Sequence, residues 1–135
     1  MKPNNVFFVP CTEISFYRAW IEFLTPYHKL TAREKDVAAR LLVQYFKLAE
    51  SIKDDAVLYE LMWSKTSRKD LMASLKMSSA NFQVVLAKLR TAGFLKDGLI
   101  NPRFLPHKVG DESRFMLQVV FDWSSDKKPI NRELE

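Results

Sequence analysis

The chain holds a single cysteine, Cys11, in 135 residues. One thiol cannot make a disulfide framework, so a buried core must carry the fold. Glycine is also scarce, with Gly93, Gly98 and Gly110 only. Their spacing makes neither of the glycine-rich loops that cradle nucleotide phosphates. The two histidines, His28 and His107, lie far apart and form no metal-ligand pattern with Cys11. Neither G-x-S-x-G nor H-E-x-x-H occurs. No catalytic residue, metal site or cofactor is therefore expected, and the chain reads as non-enzymatic. No apolar run approaches the roughly 18 residues needed to span a bilayer. The first ten residues contain four consecutive apolar ones, too few for the core of a secretion signal. A soluble, cytoplasmic protein without a membrane partner is the expectation.

What is present suits one compact domain. Hydrophobic residues make up 47% and aromatics 13%, including 10 Phe and 3 Trp. The formal net charge is +5, unevenly spread. From Lys65 to Lys108 nine basic residues face two acids, Asp70 and Asp97. That segment carries +7 and leaves the remainder at −2. Concentrated positive charge on a near-neutral body is the footprint of a nucleic-acid or anionic-surface binder.

Periodicity divides the chain. Val6-Phe7-Phe8-Val9, closed by Pro10, reads as an edge strand or extended arm. Phe16, Trp20, Phe23 and Leu24 share a helical face over Ser15 to Leu24. Thr31-Ala32-Arg33-Glu34 is a capping box opening a helix to about Glu50, with Val37, Leu41, Tyr45 and Leu48 as its stripe. Ala56 to Trp63 makes a shorter helix. Ser67-Arg68-Lys69-Asp70 resembles a second capping box, ahead of Leu71, Met72 and Leu75. A polar turn, Lys76 to Ser79, leads to a helix over Ala80 to Thr91. Its stripe is Phe82, Val85, Leu86 and Leu89, and Gly93 is placed for a left-handed cap. Two short helices joined by about four residues make a helix-turn-helix. Phe94-Leu95 and Leu99-Ile100 flank Asp97-Gly98, a tight-turn signal. Arg103 to Leu105 can pair again, and alternation from Arg114 to Trp123 predicts a longer strand. Ser124 to Glu135 is a polar tail with Ile130 and Leu134 as its apolar anchors. These boundaries give an arm and short helix over 1–30, a domain over 31–123 and a tail over 124–135.

The stretch T-S-R-K-D-L…L-K-M-S…V-L-A-K-L-R-T-A-G-F-L, from Thr66 to Leu95, resembles the core of winged-helix domains, in particular small winged-helix proteins of prokaryotes and tailed phages. The resemblance implies an α+β fold, mainly helical with a small antiparallel C-terminal sheet. It also implies that the second helix of the pair enters the major groove of double-stranded DNA. Carried onto this chain, the phosphate contacts would be Lys65, Arg68, Lys69, Lys76, Lys108 and Arg114. Base edges would be met by Ser79, Asn81, Gln83 and Lys88, since Asn and Gln suit adenine and Lys suits guanine.

One departure points elsewhere. With Phe82, Val85, Leu86 and Leu89 turned to the core, the opposite face carries Val84 and Ala87. A small apolar face there suits packing against another protein. Two functions are thus expected from the residues. The first is an oligomeric DNA-binding regulator or architectural binder. The alternative is a structural component of a phage particle that uses the fold as a packing module among neighbouring subunits, which would place it in the virion.

Overall fold

The computed structural model describes residues 7–108, 115–117 and 120–124. The chain divides into two compact units, Met1–Leu105 and Pro106–Glu135. The class is α+β, mainly helical with small antiparallel sheets.

In the first unit six α-helices precede a short hairpin. The first, α1 (Glu13–Phe23), begins two residues ahead of the expected start, because Thr12 and Ser15 close a reciprocal capping box. Its buried face is also rotated from the expected one. Tyr17, Trp20, Ile21 and Leu24 are buried, whereas Phe23 is 65% exposed. The expected face put Phe16 and Phe23 inward, but α1 lies along its Tyr17–Ile21 side on the long helix over Ala32–Ala49, where Tyr17 stacks on Phe46 at 5.6 Å.

After α2 (Thr25–His28), the Thr31–Glu34 capping box opens α3 (Ala32–Ala49). This helix is the hub, packing against α1, α4 (Asp55–Met62), α5 (Lys65–Leu75) and α6 (Ser79–Thr91). Val37, Ala38, Leu41 and Leu42 are buried, and Tyr45 and Leu48 are half-buried toward its end. Lys35 is buried at the α1 side, where its Nζ meets Glu22 at 2.9 Å; Arg18 bridges Glu22 and Asp36 across the same pair of helices.

The α5 start differs from the sequence expectation. Ser64, not Ser67, is the cap and accepts from the Ser67 N–H, while the Ser67 hydroxyl donates to the Leu61 carbonyl at 2.6 Å. Ser67 is thereby engaged with the end of α4 and the helix gains a turn. The stripe of α6 is as the period requires, with Phe82, Val85, Leu86 and Leu89 buried.

Gly93 (φ +81) ends α6 in the left-handed region, and Phe94 N–H returns to the Leu89 carbonyl. β1 (Leu95–Lys96) and β2 (Leu99–Ile100) then pair antiparallel, Leu95 opposite Ile100. Asp97 and Gly98 both have positive φ, as a two-residue primed turn requires. Arg103 to Leu105 does not pair again. Pro102–Phe104 is a 3-10 turn, because Pro102 lacks a ladder donor and the Asn101 side chain caps the Arg103 N–H.

In the second unit β3 (His107–Lys108) pairs antiparallel with β4 (Phe115–Met116). The longer strand expected over Arg114 to Trp123 reduces to these two residues among those described. Leu117 and Val120 to Trp123 are not in a strand, and Val120, Phe121 and Trp123 are exposed. Among the described residues the β3–β4 ladder is two residues long. Phe7 to Val9 is exposed and has no strand assignment among the described residues. Val6, Arg114, Gln118, Val119 and the tail beyond Ser124 lie outside the described residues.

Candidate nucleic-acid interface

The turn between α5 and α6 is built locally. Lys76 adopts the left-handed conformation (φ 53) and closes α5, with Lys76 N–H on the Ala73 carbonyl and Met77 N–H on that of Met72. Ser78 then caps α6 by accepting from the Asn81 N–H at 3.2 Å. Two helices and a three-residue connection result, with Lys76 exposed at the bend.

Each expected reading residue of α6 is solvent-facing: Ser79, Asn81, Gln83, Val84, Ala87 and Lys88. Helical geometry orders them around the axis. The middle of the exposed side is the line Ala80, Val84, Ala87 and Thr91, at i, i+4, i+7 and i+11. Gln83 and Arg90 flank it on one side, Asn81 and Lys88 on the other. Arg90 was not among the expected contacts, yet its spacing of seven from Gln83 puts it on that flank. Val84 is 60% exposed, so the apolar character of this face is real in three dimensions.

Lys65, Arg68 and Lys69 fall at i, i+3 and i+4 on one strip of α5, with Arg68 half-buried and both lysines exposed. Among the described residues none of Lys65, Arg68, Lys69, Lys76, Lys88, Arg90 or Lys96 takes part in an ion pair. Glu22 of α1 and Asp36 of α3, by contrast, are matched by Lys35 and Arg18. Lys108 contributes backbone to β3, in the second unit, and Arg114 lies outside the described residues.

The hairpin tip is tied down. Trp63 Nε1 donates to the Gly98 carbonyl, and the Tyr59 ring occupies the space a side chain at position 98 would need. Both aromatics belong to the α4 end, so α4 clasps the β1–β2 turn.

No group of three His, Cys, Asp or Glu among the described residues could hold a metal ion. His28 is buried with both ring nitrogens engaged by backbone, and Cys11 and His107 are exposed. No helix among the described residues is long and apolar enough to cross a membrane. Comparison with family models, with curated proteins and with solved structures gives no match.

Proposed function

We propose that this chain is a winged-helix DNA-binding protein, non-enzymatic, with α5 and α6 as its helix-turn-helix and β1–β2 as a short wing. The order α3, α5, α6, hairpin supports that topology. The observation that carries the function is the unpaired charge: among the described residues, seven cations from Lys65 to Lys96 take part in no ion pair, on the two helices and hairpin that would face the duplex. Phosphates supply that counterion, with release of condensed salt as the driving term. Lys65, Arg68, Lys69 and Lys76 hold the backbone, while Asn81, Gln83 and Lys88 reach base edges from the flanks of α6. The wing has two residues in each strand and its turn is tied to the end of α4, so phosphate binding rests on α5 and the bend rather than on the hairpin tip.

A second reading, a packing module among subunits of a particle, is favoured by the exposed line Ala80, Val84 and Ala87. Val84→Glu separates the two. Against DNA it sets a carboxylate at the duplex and weakens binding while self-association persists. Against a protein partner it buries an unpaired charge and blocks assembly while DNA affinity is unchanged. Electrophoretic mobility shift at low salt and analytical ultracentrifugation read the two outcomes. Unimpaired DNA binding by Val84→Glu with lost assembly would overturn α6 as the groove-entering helix, and no binding of duplex by the parent at low salt would overturn the DNA-binding reading.

A further inference from the structure

A groove of about 640 Å³ opens in the first unit between the first turn of α1, one face of α3 and the C-terminal end of α5. Its charged lining is Arg18, Arg33, Asp36, Arg40 and Lys76, with the Thr12 and Ser15 hydroxyls at the α1 end. Arg33, Asp36 and Arg40 stand at i, i+3 and i+7 on α3, so one helix face delivers them together. Asp36, the one acid, is already neutralised by Arg18 Nε at 2.8 Å. Arg33 directs one Nη2 donor to the Leu75 carbonyl, the end of α5, and this fixes its guanidinium at the groove wall. Neither Arg40 nor Lys76 takes part in an ion pair among the described residues. Three cations, Arg33, Arg40 and Lys76, therefore line this open groove without an ion-pair partner among the described residues.

We infer that this groove binds a small free ligand bearing closely spaced phosphate groups, of the pyrophosphate or nucleoside polyphosphate class. Three observations select that chemistry. Guanidinium groups present paired donors that match phosphate oxygens bidentately, and two of the three unbalanced cations are arginines. The fixed Arg33 and the backbone-closed bend at Lys76 reduce the entropy lost on binding. The volume lies in the range of small-molecule sites, and a ligand with a single negative charge would leave two cations unmatched. The site stands apart from the DNA-binding reading, because Arg18, Arg33 and Arg40 belong to the part of the chain whose net charge is negative. Only Lys76 is shared.

Isothermal titration calorimetry of the full chain with pyrophosphate at low ionic strength tests the assignment, with duplex DNA titrated in parallel. Saturable pyrophosphate binding is expected. Arg40→Gln should weaken it by about tenfold or more, since a hydrogen bond to a charged group is lost, and Arg40→Lys should restore part of it. Lys69→Gln, outside the groove, should weaken DNA binding and leave pyrophosphate untouched. Circular dichroism and melting temperature confirm that each variant is folded. Absence of saturable pyrophosphate binding to the folded parent overturns the inference, as does equal affinity in Arg40→Gln. If Arg40→Gln lowers only DNA affinity, the phosphates are those of the duplex backbone and the free-ligand assignment falls.

Discussion

The indole Nε1 of Trp20 donates to the backbone carbonyl of Phe104 at 2.8 Å, across 84 residues of chain. Both residues are buried, so α1 is fastened to the 3-10 turn that follows the hairpin. Phe104 in turn lies against Phe94 at 5.7 Å and His28 at 6.1 Å between ring centroids.

Trp20→Phe keeps most of the apolar surface and removes the donor. The Phe104 carbonyl is then buried without its partner, which costs about 1–3 kcal/mol. Urea unfolding followed by circular dichroism should show a lower midpoint. An unchanged midpoint would mean that this bond does not contribute to stability.

The two described positive-φ glycines should respond differently. Gly93→Ala meets no atom within 4 Å and incurs only the left-handed backbone penalty, roughly 1–2 kcal/mol. Gly98→Ala adds a collision with the Tyr59 ring and should cost about 1–3 kcal/mol more. A thermodynamic cycle of Gly98→Ala with Tyr59→Ser should return a coupling energy that accounts for that excess.

His28 ties stability to pH. Its Nδ1 accepts from the Leu30 N–H at 2.9 Å, which leaves the proton on Nε2 to donate to the Ile21 carbonyl at 2.8 Å. Burial pushes its pKa below the ordinary 6.5. The neutral form is thus favoured in the folded state, and its contribution is complete above pH 6.5 and is lost as pH falls below it. Glu22 acts lower: hydrogen bonds from Lys35 and then Arg18 hold its carboxyl down from 4.5 to about 2. Its contribution is present above 4.5 and fades toward 2. Denaturation midpoints stepped downward in pH should show a first decline that His28→Gln removes, and a second, at lower pH, that Glu22→Gln removes.

If Lys65, Arg68, Lys69 and Lys76 neutralise four phosphates, the logarithm of duplex affinity should fall against the logarithm of salt with a slope of about −4. Replacing Lys65 and Lys69 together by glutamine should flatten the slope by about two. Fluorescence anisotropy across a salt series measures both; a parent slope near zero would remove the phosphate assignment.

Local rules made much of the fold readable. The Thr31–Glu34 box, the Asp97-Gly98 turn and the α6 stripe each involve residues within a few positions of one another, so their interactions form from sequence neighbours alone. The solvent-facing positions of α6 followed from the same period, and so did the unmatched charge of Lys65 to Lys96, because that segment contains almost no acid to match it.

The remainder depended on contacts between distant segments. Ser64 and Ser67 are chemically equal candidates for the α5 cap, and the choice fell to Ser64 because Ser67 is drawn to the Leu61 carbonyl where α4 ends. The rotation of α1 that exposes Phe23 is decided by the packing of Tyr17 on Phe46 and the hydrogen bond from Trp20 to the Phe104 carbonyl. The groove could not be read from order in the chain at all. Arg18, Arg33 and Arg40 are interleaved in the chain with Glu22, Glu34 and Asp36, so no run of like charge marks them. Folding separates the signs: Glu22 is drawn to Lys35, Asp36 to Arg18 and Glu34 to the Thr31 cap, which leaves Arg40 and Lys76 lining the groove without an ion-pair partner among the described residues.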